Sequence, residues 1–109
     1  MVSFTTKPIE EKEPEELKQI LQARVVEVSP HAFDHISSVQ RKVFKEDELI
    51  QTAQRETPRK AYLQVNGRYV GYYRKESGYR KLIFDVQEKK AVIVTFMDVD
   101  ELPKVDFQK

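Results

Sequence analysis

The dipeptide Asn66–Gly67 places the strongest constraint on the fold of this chain. It lies between two segments with strand-like alternation or composition, Lys60–Val65 and Arg68–Lys75. Asn-Gly readily adopts the positive φ angles of a tight hairpin turn, and alternation of apolar and polar residues is the pattern of a half-buried strand. The sequence therefore predicts a β-hairpin at this point.

Two further strands are predicted after the hairpin. Glu76–Gly78 is a second turn, and Tyr79–Val86 alternates again. Gln87–Lys90 is a third turn, and Ala91–Met97 is apolar at nearly every position, which predicts a central strand buried on both faces. The alternation separates the side chains of the third strand into two faces, one with Arg80, Leu82, Phe84 and Val86 and the other with Tyr79, Lys81, Ile83 and Asp85.

Helices are predicted in the first half of the chain. Pro14 suits a first helical turn, its neighbouring glutamates suit the positive end of the helix dipole, and an apolar stripe ends near Ala23. A valine-rich strand follows at Arg24–Ser29, and Pro30 begins a short helix. A second short helix is predicted over Lys45–Gln54.

This order of elements predicts an α+β fold, with short helices packed on one face of an antiparallel meander sheet of four to five strands. The 109 residues suit a single domain. Residues 1–13 are expected to form an acidic, flexible arm, and residues 98–109 an acidic tail.

Composition excludes several classes of protein. The chain has no cysteine, so it forms no disulfide and no thiolate site. We expect a cytoplasmic protein, because no segment has the apolar length of a signal peptide or a membrane span. The net charge of only +1 argues against a general nucleic-acid packaging protein, while it permits a local binding surface.

A basic, tyrosine-rich stretch spans Arg59–Lys81. It holds all five tyrosines and seven Lys or Arg residues against the single acid Glu76, so its local charge is +6. Cations interleaved with aromatic rings suit a surface that binds phosphates and stacks bases. The same residues also suit an ordinary sheet with one exposed face, since tyrosine favours strands. The alternation alone leaves both interpretations open.

Four short motifs resemble the RelE/ParE-like toxin superfamily, nearest its BrnT-type branch and uncharacterised relatives. They are Ser29–His35 (SPHAFDH), Glu46–Ile50 (EDELI), Gly67–Tyr72 (GRYVGY) and Arg80–Phe84 (RKLIF). The resemblance covers roughly residues 25–97, which would form the RelE-like core within residues 24–97. It implies a metal-independent endoribonuclease that acts on RNA or at the ribosome, paired with a cognate antitoxin.

The positions that match the toxin pattern imply a site. The residues expected to be catalytic are His31, Arg68, Tyr72 and Arg80. The other cations of the stretch are expected to bind nucleic acid, and they are Arg59, Lys60, Arg74, Lys75 and Lys81. Histidine can transfer protons near neutral pH, arginine can clamp a phosphate, and tyrosine can stack on a base.

Alternatives remain open at several of these positions. His31 and His35 are four residues apart, which fits an acid–base pair or two metal ligands as well as helix capping and packing. We expect no metal and no cofactor. The chain could also be a non-catalytic protein- or nucleic-acid-binding module of a phage or mobile element, or an assembly subunit that pairs through an exposed strand. The acidic ends could fold back over the basic sheet and moderate its charge.

Overall fold

The computed structural model describes residues 7–34 and 44–104. These ranges contain two α-helices, a 3-10 turn at Pro30–Phe33 and six strands. In chain order the helices and strands are β1 (Pro8–Lys12), α1 (Pro14–Gln22), β2 (Val25–Val28), α2 (Glu46–Arg55), β3 (Lys60–Gln64), β4 (Tyr69–Lys75), β5 (Gly78–Val86) and β6 (Lys90–Val99).

The six strands form one sheet in the order β1-β3-β4-β5-β6-β2. Every neighbouring pair is antiparallel except β2 and β6, which run parallel. The predicted α+β class is confirmed, and the meander of four strands is its centre. The sheet is wider than expected because β1 and β2 each add to one edge of this meander.

The prediction of a flexible arm is wrong over Pro8–Lys12. These residues form edge strand β1, in which Glu11 lies opposite Tyr62 of β3 and a bulge follows Pro8. Lys12 Nζ lies 2.9 Å from Glu10 Oε2, so these two charges of the strand compensate one another. Proline, charged side chains and bulges protect the edges of sheets from pairing with further strands. Because proline and charged residues are also typical of loops, the sequence of this edge strand resembles that of a loop.

The predicted turns between β3, β4 and β5 are confirmed. Gly67 has φ +85, and the backbone N–H of Gln64 donates a 2.8 Å hydrogen bond to the Arg68 carbonyl. Gly78 has φ +147, and a Cβ at this position would collide with the carbonyl oxygen of Val99. Glycine is therefore required at both turns, at the second for space as well as for backbone conformation.

The main core lies between the helices and one face of the sheet. Both helices begin close to the predicted positions, and each contributes two fully buried side chains, Leu17 and Leu21 from α1 and Leu49 and Ala53 from α2. Gly71 gives α1 room to approach β4, since a Cβ there would lie 3.0 Å from Leu17 Cδ2. The buried side chains that the sheet contributes include Tyr73, Leu82, Phe84, Ile93 and Phe96.

The 3-10 turn confirms the predicted helix start at Pro30. The Ser29 hydroxyl oxygen accepts a 3.3 Å hydrogen bond from the backbone N–H of His31, as an N-cap does. His35 lies outside the described residues. Within the described ranges, no helix has the length and apolar character needed to span a membrane.

Candidate nucleic-acid interface

A second cluster of aromatic residues lies on the sheet face opposite the helices, which we call the aromatic face. Its centre is formed by Tyr62, Val70 and Tyr72, whose exposed fractions are 4%, 0% and 4%. Partly buried side chains surround this centre, and they are Tyr79, Ile83, Val99 and Leu102. The basic, tyrosine-rich stretch is thus divided, because Tyr73 lies in the helix-side core while Tyr62, Tyr72 and Tyr79 lie on the aromatic face.

Strand register alternates cations and tyrosines across the aromatic face. Lys60 of β3 pairs with Tyr72 of β4, and Tyr72 pairs in turn with Lys81 of β5. In the next row Arg74 pairs with Tyr79. Lys81 Nζ lies 5.7 Å from the centroid of the Tyr72 ring, and Arg74 Cζ lies 5.3 Å from that of Tyr79, both within cation–π range.

Two cations of this face have no carboxylate partner within residues 7–34 and 44–104. Lys60 Nζ lies 3.7 Å from Glu11 Oε1, so that charge is partly compensated. Arg74 instead donates a 2.9 Å hydrogen bond to the Gly78 carbonyl, and Lys81 packs on Tyr72. Desolvation lowers the pKa of the Lys81 amine. Without a carboxylate beside them among the described residues, the charges of Arg74 and Lys81 can attract a phosphate.

Tyr72 is suited to packing rather than to proton transfer. Its hydroxyl lies 3.3 Å from that of Tyr62, and the two ring centroids are 6.1 Å apart. Burial, and then the hydrogen bond to Tyr62, raise the pKa of the Tyr72 hydroxyl above its ordinary value. A group that acts as a general acid at neutral pH needs its pKa shifted the other way.

Arg80 lies on the opposite face of the sheet from Tyr72 and is 3% exposed. Its Nε and Nη2 donate to the two carboxylate oxygens of Asp98 at 2.8 and 3.3 Å. Its guanidinium also lies 4.6 Å from the centroid of the Phe44 ring. The ion pair is bidentate and stacked, with the arginine buried and the Asp98 side chain about half exposed, which gives Arg80 a structural role at the end of the core.

A cleft of about 550 Å³ adjoins Arg80, between α2 and the hairpin that joins β4 to β5. Its charged lining residues are three cations and four acids, so the cleft offers no excess of positive charge for a phosphate. The cations are Arg74, Lys75 and Arg80, and the acids are Glu48, Glu56, Glu76 and Asp98.

The other predicted site residues are dispersed. His31 is exposed in the 3-10 turn, where its Nδ1 lies 3.0 Å from Asp34 Oδ2. Arg68 is exposed in the β3–β4 turn, with its backbone N–H bonded to Asn66 Oδ1. Since Tyr72 and Arg80 point to opposite sides of the sheet, the four residues expected to be catalytic do not form one site.

The residues predicted to bind nucleic acid are better grouped. Lys60, Arg74 and Lys81 lie on the aromatic face. Arg59 is exposed beside it, and its backbone N–H donates to the carbonyl of Tyr72. Lys75 is exposed at the end of β4 and lines the cleft on the other side of the sheet. The aromatic face therefore groups three of the five residues predicted to bind nucleic acid. Of the four residues predicted to be catalytic, it includes Tyr72 alone.

Sequence reasoning did not single out three important residues. Tyr62 and Tyr79 contribute to the aromatic face, and their places in the alternation, beside Gln64 and Lys81, were the available signal. Asp98 was expected to begin the acidic tail, although it follows the apolar Phe96 by two positions and so extends its strand on the same face. A strand that ends in an acid opposite a buried arginine is a signal for an ion pair.

Within the described ranges, no group of three or more His, Asp or Glu side chains could hold a metal ion. Comparison of the chain with protein-family models, with curated proteins and with solved structures finds no match.

Proposed function

We propose that this chain binds single-stranded RNA through the aromatic face and does not cut it. The observation that carries the proposal is the alternation of cations and tyrosines across three adjacent strands, in which Arg74 and Lys81 have no carboxylate partner among the described residues. Proteins that bind single strands combine a cationic surface, which follows the phosphates, with aromatic rings on which bases stack.

The cations available set the expected strength of binding. Lys60, Arg74 and Lys81 lie on three neighbouring strands, so they could neutralise two or three phosphates. For a single strand, the slope of log affinity against log salt is about −0.7 per phosphate, which gives a total between about −1.4 and −2.1. Binding should therefore be weak at physiological salt and readily measured at low salt.

The test is fluorescence anisotropy with a labelled oligouridine over a range of salt concentrations. Replacing Arg74 and Lys81 by glutamine should weaken binding at low salt and bring the slope closer to zero by about 1.4, since two phosphate contacts are lost. The matched control replaces Lys45 and Lys89, two exposed lysines away from the aromatic face, and removes the same net charge. Equal weakening in the control would refute a localised site, and wild-type protein that does not bind would refute the proposal.

A RelE/ParE-like toxin that cleaves RNA without a metal is the second proposal, and the ribosome and a cognate antitoxin are its partners. The observation in its favour is the contact between His31 Nδ1 and Asp34 Oδ2, since a carboxylate of this kind orients a histidine for proton transfer. Induced expression should then arrest growth, and His31→Ala should relieve the arrest. Arg80→Ala is less informative, because it also removes a buried arginine from its ion pair with Asp98.

A further inference from the structure

The segment that follows β6 turns back over the aromatic face. Val99 pairs with Tyr79 at the end of the sheet, and Asp100 Cα lies 3.3 Å from the position that a Cβ on Gly78 would occupy. Leu102 then packs against the cluster of Tyr62, Val70 and Tyr72. We call residues 100–104 the strap. Among the described residues packed on this cluster, Leu102 is the one that comes from outside the strands.

The centre of the aromatic face is buried when Leu102 packs against it together with Tyr79, Ile83 and Val99. Tyr72 has an exposed fraction of only 4%, and Tyr62 has the same. A base cannot stack on a ring that is covered in this way. With the strap in place, RNA can reach the peripheral cations and Tyr79, which is partly exposed, but not the centre of the cluster.

The charge of the strap complements the surface that it covers. The strap contains two acids, Asp100 and Glu101, and one cation, Lys104, so its net charge is −1. Asp100 enters beside Gly78, whose carbonyl accepts the hydrogen bond from Arg74. The strap thus brings an apolar side chain, preceded by two acids, to a surface where a base and its phosphates could otherwise bind.

We propose that the strap competes with RNA for the aromatic face, so that full binding requires Leu102 to leave the cluster. This inference rests on the proposed function. It divides binding into two modes. In the closed mode, RNA contacts the peripheral cations and Tyr79 and binds weakly. In the open mode, a base stacks on the cluster and affinity rises, since one stacked base is worth about tenfold in affinity.

The experiment measures the Kd of labelled oligouridine for three variants of the full chain. Leu102→Ser weakens the apolar contact of the strap, and we expect it to lower the Kd by about fivefold or more. Asp100→Asn with Glu101→Gln removes the charge of the strap and should lower the Kd as well. The control is Glu13→Gln with Glu15→Gln, which changes the net charge equally at the start of α1 and should have a smaller effect.

A second measurement reports the strap directly. Nitration of tyrosines by tetranitromethane, mapped by mass spectrometry, should leave Tyr72 protected in the wild type and modify it in Leu102→Ser. One outcome is that the wild type binds RNA and Leu102→Ser binds it no more tightly, although Tyr72 becomes reactive in that variant. This result would refute competition between the strap and RNA and leave the proposed function intact. Protein that binds no RNA in any variant would overturn the proposed function and this inference with it.

Discussion

Removal of Asp98 should destabilise the fold far more than removal of its partner Arg80. Arg80 is 3% exposed, whereas the Asp98 side chain is about half exposed. In Asp98→Ala, the guanidinium stays in the core without a carboxylate. In Arg80→Met, the carboxylate that is left behind is already in contact with water, and the methionine can pack on the Phe44 ring in place of the guanidinium.

The magnitudes follow from this difference in exposure. Breaking a fully buried ion pair costs about 3–5 kcal/mol, and water near the half-exposed Asp98 puts Asp98→Ala at the lower end, about 3 kcal/mol. Arg80→Met should cost about 1 kcal/mol, since it leaves no buried charge unpaired. For a domain of this size, 3 kcal/mol corresponds to a fall in Tm of about 12 °C or more.

Urea unfolding followed by circular dichroism measures both variants and the double variant. The double variant should resemble Arg80→Met, because Asp98 has little to stabilise once the guanidinium is gone. If both single variants cost less than about 1 kcal/mol and their effects added, Arg80 and Asp98 would be energetically independent, which would refute a stabilising ion pair between them. The result also decides how a loss of toxicity in Arg80→Ala should be interpreted.

Three further predictions concern the packing around β4. Gly71→Ala should lower the free energy of unfolding by about 1–3 kcal/mol in urea titrations, because its Cβ would lie 3.0 Å from both Leu17 Cδ2 and Tyr73 Cε1. Tyr73→Phe should raise it by about 1 kcal/mol, since the Tyr73 hydroxyl is buried and has no hydrogen-bond partner among the described residues; a loss of more than 1 kcal/mol would contradict this. Above about pH 10.5 stability should fall with rising pH, because burial raises the pKa values of Tyr72 and Tyr73 in the folded state while the unfolded tyrosines ionise near 10.0. In this range each of the two tyrosines lowers the free energy of unfolding by about 1.4 kcal/mol per pH unit. Tyr73→Phe should therefore halve their combined contribution to the slope of stability against pH, measured by unfolding at alkaline pH.

Local patterns predicted the meander well. Asn66–Gly67 and the residues around Gly78 specify turns through backbone conformation, which is a property of the residues themselves. The alternation in Tyr79–Val86 correctly separated the two faces of β5. Helix α1 begins at Pro14 as predicted, because the start signal and the apolar stripe lie within the same few residues.

Features that depend on distant partners were missed. Strand β1 has the composition of an exposed arm, and only its pairing with β3 makes it a strand. The parallel pairing of β2 with β6 joins segments about 65 residues apart, which no local pattern encodes. The second aromatic cluster was missed in the same way, since alternation assigns Tyr72 and Tyr73 to opposite faces without showing that both faces are covered.

The central claim is that the aromatic face, and not the cleft at Arg80, contacts RNA. The most direct measurement is an NMR titration of the 15N-labelled chain with oligouridine at low salt, in which amide shifts locate the bound strand. RNA bound to the aromatic face should give the largest shifts at Lys60, Tyr72, Tyr79 and Lys81, none of which lines the cleft, and displacement of the strap should extend the shifts to Leu102. Shifts centred instead on His31, Arg80 and the cleft residues of α2, with the aromatic face unchanged, would contradict it.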